Sequence, residues 1–170
     1  LILGMLQLAR VESGQQIMHL EPVDVMTDAD DVLSGFRTIA DTKSVRLMLI
    51  ATDELTIIAD SQALQTIISN LVDNALKHTA AGGSVTVELI ASGSSPEIVV
   101  CDTGTGIPEE VLGRIFERFY RVDRDRNRER GGSGLGLAIV KHLCQALNAS
   151  VSVKSSPGKG SEFRVRFSKT

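Results

Sequence analysis

Two asparagines and a lysine recur at helical spacing in the stretch NLVDNALKHT, residues 70–79. The apolar residues around them repeat with the period of a helix, so Asn70 and Asn74 share one face and Lys77 lies next to them. Carboxamide oxygens are ligands for a hard cation such as Mg²⁺, and an ammonium group binds phosphate. Capping of nearby backbone is the simpler interpretation, and this motif taken alone favours it.

A second motif, CDTGTGIP, follows an apolar strand and covers residues 101–108. Asp102 ends that strand, where a carboxylate can accept a hydrogen bond from an amino group inside a pocket. Gly104 and Gly106 allow the backbone to come close to a flat ligand. A tight turn capped by an aspartate is the alternative, and this motif taken alone favours it.

A glycine-rich motif, GGSGLGLAIV at residues 131–140, leads into a predicted helix. Free amides at a helix N-terminus, with the helix dipole behind them, form an anion site, and glycines leave room for a polyphosphate. No strand leads into these glycines and no Lys-Ser or Lys-Thr pair follows them. Their context therefore argues against a dinucleotide-binding fingerprint and against a P-loop.

The fourth motif is IFERFYR, residues 115–121, in a helix predicted to begin at Pro108 and to run through Phe119. Phe116 and Phe119 are predicted to lie on one side of that helix, where core packing explains them. Arg121 either reaches a phosphate group or is solvated.

The stretch RVDRDRNRERGGSG, residues 121–134, is the one long polar segment of the chain. Such a gap inside a compact domain predicts a functional or disordered loop. A nucleic-acid surface is disfavoured, because acidic residues alternate with the arginines and the segment contains no aromatic residue for stacking on bases.

The predicted elements follow the order α, β, β, α, β, β, α, loop, α, β, β. Because strands come in pairs between helices, the order argues against a doubly wound parallel sheet and favours a mixed or antiparallel sheet with helices on one face. An apolar stripe also predicts a short helix within residues 1–14, ahead of these elements. The other predicted helices cover residues 27–42, 61–79, 108–119 and 135–147. The predicted strands cover residues 46–51, 55–59, 84–92, 96–102, 150–155 and 161–168, and residues 16–25 are predicted to be extended.

Composition sets further bounds. The 170 residues suffice for one well-buried core, which must be mainly aliphatic because aromatic residues make up 4% of the chain. The net charge of −3 gives no overall attraction to nucleic acid. Cys101 and Cys144 lie in apolar runs without metal-site spacing, which predicts two reduced, buried thiols and a reducing compartment such as the cytoplasm.

Taken together and in this order, the motifs resemble the boxes of the ATP-binding catalytic domain of sensor histidine kinases, whose fold is shared with DNA gyrase, Hsp90 chaperones and MutL. NLVDNALKHT resembles the N box, DTGTGIP and GGSGLGL the two glycine boxes, IFERFYR the phenylalanine box, and GKGSEF the final glycine motif. The resemblance covers about Val23 to Phe167. It implies an α+β fold, a two-layer sandwich in which three helices cover one face of a mixed, mostly antiparallel sheet of about five strands.

The resemblance also implies a division of the chain and roles for particular residues. Residues 1–22 would be the end of a helical dimerisation hairpin plus a linker, and residues 23–170 the ATP-binding domain. Asn74 would hold Mg²⁺, with Asn70 as a second candidate ligand, and Asp102 would accept a hydrogen bond from the adenine amino group. The implied nucleotide-binding set is Asn70, Asn74, Lys77, His78, Asp102, Gly104, Gly106, Ile107, Tyr120, Arg121, Gly132, Ser133, Gly134, Leu135, Gly136 and Leu137.

Within that set, Lys77 and Arg121 would contact phosphate, residues 122–131 would form a lid over ATP, and the second glycine box would cradle the phosphates. His78 departs from the pattern, since many relatives carry tyrosine at this position. Its imidazole either stacks or hydrogen-bonds at the edge of the nucleotide, or belongs to the helix end and touches carbonyl groups.

Asn70 separates two kinds of activity. Relatives that hydrolyse ATP place a glutamate one turn before the Mg²⁺-binding asparagine to activate water, and a carboxamide is no general base. The sequence therefore favours a histidine kinase over a gyrase-like or chaperone-like ATPase. A regulatory nucleotide-binding module and a protein-serine kinase of the same fold, such as an anti-sigma factor, are the alternatives.

None of the three histidines fits a phosphoacceptor, which should precede an acidic residue on an earlier helix. His19 stands before a proline-containing extended stretch, and His78 and His142 fall within the nucleotide domain. We therefore expect the acceptor helix to lie outside this chain, which should bind ATP without phosphorylating itself. The resemblance further implies a full-length homodimer, a response-regulator partner, no nucleic-acid partner, and a cytoplasmic position below an inner-membrane sensor.

Overall fold

The computed structural model describes residues 17–91, 95–122 and 133–168, so the helix predicted within residues 1–14 lies outside the described residues. Within these ranges the chain forms seven strands and three α-helices. The strands are β1 (Glu21–Asp24), β2 (Arg46–Ala51), β3 (Thr56–Ala59), β4 (Ser84–Ile90), β5 (Glu97–Asp102), β6 (Ala149–Ser155) and β7 (Ser161–Phe167). The helices are α1 (Val25–Thr42), α2 (Ser61–His78) and α3 (Gly136–Ala146).

Five of these strands form one mixed sheet in the order β2-β4-β5-β7-β6. β2 runs parallel to β4, and every other neighbouring pair in the sheet is antiparallel. β1 and β3 pair with each other in a separate antiparallel ribbon. The predicted sandwich of a mixed, mostly antiparallel five-stranded sheet and three helices is confirmed.

Aspartate caps begin the first two helices. The Asp24 carboxylate accepts a hydrogen bond from the Met26 amide at 3.1 Å, and α1 therefore begins slightly earlier than predicted. The Asp60 carboxylate accepts from the Ala63 amide at 2.9 Å at the start of α2, and its other oxygen accepts from the His19 amide at 2.9 Å. Asp60 therefore fixes both the helix and the incoming chain.

The core lies between the helices and one face of the sheet and is mainly aliphatic, as predicted. The inner stripe of α2 is fully buried and consists of Leu64, Ile67, Ile68, Leu71 and Val72. Burial of each such side chain stabilises the fold by about 1.5–3 kcal/mol, which fixes α2 across the sheet. None of the helices in the described ranges is both long and apolar enough to span a bilayer.

The helix predicted from Pro108 through Phe119 is wrong. The segment forms a single 3₁₀ turn at Glu109–Val111, followed by turns in which amides bond to carbonyls three residues earlier. Gly113 in the middle weakens helix propensity, and Phe119 has φ +58°, which no right-handed helix accommodates. The two phenylalanines therefore do not share a side: Phe116 meets Phe163 edge-on with ring centroids 6.4 Å apart, while Phe119 is half exposed.

The sheet face opposite the helices carries a network of ionic hydrogen bonds. Glu97 on β5 accepts from Arg166 Nε at 2.6 Å and from the Arg164 guanidinium, both on β7. Arg164 also donates to Glu162 at 2.9 Å. Burial alone would raise the pKa of the Glu97 carboxyl, but the hydrogen bonds from Arg166 and Arg164 outweigh burial and lower that pKa below its usual range.

Glu97→Gln should lower the free energy of unfolding by about 1–2 kcal/mol at neutral pH, because two guanidinium groups lose their shared carboxylate. Since the folded-state pKa of Glu97 is lowered, its stabilisation is present above the unfolded-state pKa and is lost as the pH falls through the folded-state pKa. Chemical denaturation at neutral pH and at pH values below the ordinary pKa of a glutamate side chain measures both effects. Glu162→Gln is the control, because Arg164 is the only ion-pair partner of Glu162 among the described residues. Equal losses in the two variants would contradict this assignment.

Candidate functional site

Three of the predicted motifs meet where the C-terminal half of α2, the loop after β5 and the first turn of α3 lie side by side. Asn70 of α2 faces Gly136 of α3, where an added Cβ would lie 2.9 Å from Asn70 Oδ1. In the last turn of α2, the His78 carbonyl accepts a hydrogen bond from the Thr105 amide at 3.2 Å. α2 is therefore the element that both glycine-containing motifs contact.

The two asparagines differ in how their carboxamides are used. Asn70 Nδ2 donates to the Thr66 carbonyl one turn earlier at 2.8 Å, so its oxygen is the atom that faces α3. Asn74 is half-buried, and its carboxamide makes no hydrogen bond with another residue of the described ranges. Backbone capping thus accounts for the nitrogen of Asn70 and leaves the Asn74 side chain able to bind a ligand.

Asp102 is the buried carboxylate of the site and is 8% exposed at the end of β5. Its Oδ1 accepts a hydrogen bond from the Gly104 amide at 2.8 Å. Burial raises the pKa of Asp102, although hydrogen bonds from Gly104 and Ser161 and the nearby His78 oppose that rise. Such a carboxylate can accept a further N–H from a ligand group that enters the site.

Gly104 and Gly106 bring the loop after β5 against the protein's own backbone. A Cβ on Gly104 would lie 2.4 Å from the His78 carbonyl oxygen. Gly106 has φ +68°, and a Cβ there would lie 1.9 Å from the Ser156 carbonyl oxygen. The two glycines thus seat the loop between α2 and the turn that joins β6 to β7. Their close approach to a ligand stays a prediction.

The phenylalanine-containing motif is joined to the second glycine motif by backbone pairing. The Phe119 amide donates to the Gly134 carbonyl at 2.9 Å, and both residues have positive φ, +58° and +71°. A Cβ on Gly134 would lie 2.8 Å from Phe119 Cα, so this contact requires glycine. Gly132 and residues 123–131 of the predicted lid lie outside the described residues.

No side chain of the described residues caps the start of α3, in contrast to α1 and α2. Leu135 occupies the cap position and offers no acceptor, while Ser133 Oγ accepts only from the Leu135 amide at 3.3 Å. The buried Leu135 and the half-buried Leu137 fix this helix start against the core. The amides in the first turn of α3 are therefore uncapped and held in a fixed position, as anion binding requires.

Two other predicted site residues have partners within the protein. Lys77 is paired with Asp73 at 2.5 Å on the surface of α2. Both side chains are partly exposed, so the pair contributes less than about 1 kcal/mol to stability. Tyr120 is half-buried with the Arg114 guanidinium 4.6 Å from its ring centroid, and the half-buried Arg121 follows it.

Ser155 is a site residue that sequence reasoning missed. Its hydroxyl accepts from the Ile107 amide at 2.8 Å, donates to the Gly160 carbonyl at 2.7 Å and lies 3.0 Å from Ser161 Oγ. Ser161 in turn hydrogen-bonds Asp102. The Ser155 hydroxyl at the end of β6 thus connects the loop at Ile107, through Ser161, to the Asp102 carboxylate. A serine in a strand of alternating polar and apolar residues gives no sequence signal of this role.

The comparisons with known proteins agree with this geometry. Residues 59–170 match the family of histidine kinase-, DNA gyrase B- and HSP90-like ATPases. The chain is 36% identical over 165 residues to the sensor-like histidine kinase SenX3 of Mycobacterium tuberculosis. The aligned residues make up 97% of this chain and 40% of SenX3. The chain thus spans less than half the length of this curated relative.

Solved structures show the same likeness. Full-length ShkA in complex with AMPPNP superposes with a TM-score of 0.85 and 33% identity, over 96% of this chain and 34% of ShkA. The mycobacterial sensor histidine kinase MprB superposes with a TM-score of 0.74 and 29% identity, over 87% of this chain and 96% of that structure. The chain belongs to the histidine kinase-, DNA gyrase B- and HSP90-like ATPase family, as an ATP-binding domain of the sensor histidine kinase type.

Gly104→Ala should lower the free energy of unfolding by about 1–3 kcal/mol, because its Cβ would press on the His78 carbonyl and force the loop away from α2. We also expect weaker adenine-nucleotide binding, since the displaced loop carries Ile107 and follows Asp102. Thermal denaturation and calorimetric titration with ADP measure the two effects. Gly113→Ala is the matched control, because no atom lies within 4 Å of its added Cβ; a Gly104→Ala chain as stable as the wild type would refute the argument.

Proposed function

We propose that this chain binds Mg-ATP and that, in the whole protein, it donates the γ-phosphoryl group to a histidine on a dimerisation domain outside this chain. From that histidine the group passes to an aspartate of a response regulator. The observation that carries the proposal is the placement of a buried carboxylate, two carboxamides and an uncapped helix start around one end of α2. These are the groups needed for an adenine, a hard cation and a polyphosphate, respectively.

In this proposal, Asp102 recognises the adenine base. Its carboxylate accepts a hydrogen bond from the exocyclic amino group, which guanine does not present in the same position, so ATP is preferred over GTP. Gly104, Gly106 and Ile107 form the wall beside the base. Their backbone is held by the His78 carbonyl, the Ser156 turn and the Ser155 hydroxyl.

Asn74 holds the Mg²⁺ that accompanies the phosphates, and Asn70 is a second candidate ligand. The fit rests on the donor chemistry, because neutral carboxamide oxygens suit a hard cation already coordinated by phosphate. When bound, the ion neutralises charge on the phosphates. The uncapped amides of α3, with Gly134, Gly136 and the cations of Lys77 and Arg121, bind the phosphate oxygens.

Asn70 determines what happens to bound ATP. A carboxamide accepts no proton from water at neutral pH, so the site holds ATP without activating water for hydrolysis. ATP is thereby kept for transfer to an acceptor side chain, which this proposal assigns to another domain. We accordingly expect the isolated chain not to phosphorylate itself.

The remaining proposals concern the whole protein. Residues 1–22 form the end of a dimerisation hairpin and a linker, and residues 23–170 the ATP-binding domain. The full-length protein is a homodimer that acts on a response regulator rather than on nucleic acid. The domain works on the cytoplasmic side, below an inner-membrane sensor.

Asp102→Asn should weaken ADP and ATP binding alike by about 10-fold or more, because the buried acceptor for the adenine amino group is altered. Since burial raises the pKa of Asp102, wild-type affinity for ADP should fall as the pH drops through that raised value, and the variant should lack this step. Calorimetric titration over pH, with GTP as a second ligand, measures both. Asp53→Asn, at an exposed aspartate outside the site, is the control. A loss confined to ATP would place Asp102 on the phosphate side instead.

Asn74→Ala should abolish the Mg²⁺-dependent part of the affinity for ADP and for a non-hydrolysable ATP analogue, because the carboxamide ligand of the ion is removed. Titrations with and without Mg²⁺ separate this loss from a general loss of binding. Gln62→Ala removes an exposed carboxamide from the same helix and should leave the Mg²⁺ dependence unchanged. Equal Mg²⁺ dependence in wild type and Asn74→Ala would rule out the assignment.

A further inference from the structure

The two outer edges of the five-stranded sheet differ in chemistry. β6, at one edge, exposes Ser150, Ser152 and Lys154. Polar side chains and a lysine on an edge strand discourage pairing with another chain. β2, at the other edge, has the sequence RLMLIA, in which Arg46 is the only charged residue. The edge at β2 therefore lacks the protection that the edge at β6 carries.

The outer backbone groups of β2 are aligned for pairing. The Arg46 amide donates to the Gly83 carbonyl at 3.0 Å and the Thr52 amide to the Leu89 carbonyl at 3.2 Å, so the even-numbered residues face β4. Successive residues of a strand direct their N–H and C=O groups to opposite edges. The groups of Leu47, Leu49 and Ala51 therefore point outward, and no strand of the described ranges pairs with them.

Apolar surface lies on both sides of this edge. On the open face of the sheet, Met48 and Ile50 are 39% and 48% exposed. On the helix side, a groove of about 730 Å³ runs between α1 and β2. Its lining combines apolar side chains, including Leu33, Leu47 and Leu49, with polar ones such as Arg37 and Asp41. An added strand would therefore meet apolar side chains on both of its faces.

We propose that β2 pairs, antiparallel, with β2 of a second copy of this chain, around a two-fold axis at Leu49. Only outward-facing residues can exchange hydrogen bonds, so Leu49 lies opposite its own copy and Leu47 opposite Ala51 of the second copy. Met48 then lies opposite Ile50 of the second copy on the open face. In this register each apolar residue from Leu47 to Ala51 meets an apolar residue, and the two sheets join into one.

Charge complementarity favours a second copy in this register. Arg46 begins the strand, and the exposed Asp53 and Glu54 follow its end. The antiparallel register places Arg46 opposite Thr52 and diagonally next to Glu54 of the second copy, within reach of a long side chain. Among the described residues Arg46 has no ion-pair partner of its own. A parallel arrangement would instead set Arg46 beside Arg46.

The pairing is expected to be weak in the isolated chain. A six-residue strand and a groove bury less than the roughly 800 Å² per partner of a standard stable interface. We therefore expect a dissociation constant above about 1 μM. Tethering of two copies within a larger assembly would raise their effective concentration to about the millimolar range and favour the pair.

Sedimentation equilibrium of the nucleotide-free chain, over a wide concentration range, tests the proposal. The wild type should show a monomer–dimer equilibrium, and Ile50→Lys should weaken it at least about 10-fold by placing a charge at the edge. Ser152→Lys is the matched control, since Ile50 and Ser152 occupy one transverse row of the sheet at opposite edges. A wild type that stays monomeric throughout, or a dimer that Ile50→Lys leaves unchanged, would overturn the proposal.

Cross-linking tests the register even if the lysine variant fails to fold. A double variant, Met48→Cys with Ile50→Cys, places thiols of two copies on opposed residues whose Cα atoms lie about 4.5 Å apart, within disulfide range. It should form a covalent dimer under mild oxidation, and Ser150→Cys with Ser152→Cys on β6 should not. Absence of the covalent dimer would overturn the register. ADP titration of Ile50→Lys should match the wild type, so this inference and the proposed function can fail separately.

Discussion

The contact between the last turn of α2 and the loop after β5 is the constraint on which the rest of the site depends. Gly104 has no side chain, so the loop reaches the His78 carbonyl, which accepts the Thr105 amide. α2 is fixed by its buried aliphatic stripe, and Lys43 at the end of α1 donates to the Leu76 carbonyl near the C-terminus of α2. The groups that would hold base, metal and phosphate are therefore positioned by packed elements rather than by the ligand.

At Asp102, the requirement of nucleotide binding conflicts with the stability of the fold. Burial raises the pKa of its carboxyl, so the folded chain favours the protonated form more than the unfolded chain does. Its contribution to stability is present at low pH and is lost as the pH rises through the folded-state pKa. At neutral pH the ionised Asp102 carboxylate thus destabilises the fold. The same ionised form is the one that can accept a hydrogen bond from an adenine amino group. Glu97 acts in the opposite direction, because its arginine partners lower its pKa.

The sequence was sufficient for the features that depend on local periodicity and on ordered motifs. It predicted the sandwich, the aliphatic core, the helix that carries Asn70 and Asn74, and the strand that ends in Asp102. It failed for Pro108–Phe119, where a proline suited to the first position of a helix suggested a helix, but Phe119 adopts a positive φ and pairs with Gly134. Ser155 was missed for a related reason: its three hydrogen bonds depend on residues brought together by the tertiary fold.

The backbone pairing of Phe119 with Gly134 has a consequence for how such a domain can vary. The pairing joins two points of the chain, so the segment between them is a closed loop whose ends are fixed by the core. The entropy of closing a loop rises only with the logarithm of its length, about 0.6 kcal/mol for each doubling. Residues can therefore be inserted or removed between Phe119 and Gly134 at little thermodynamic cost, while the start of α3 stays in place. A change in the number of residues between these two points is thereby separated from the backbone pairing that holds the start of α3 in place.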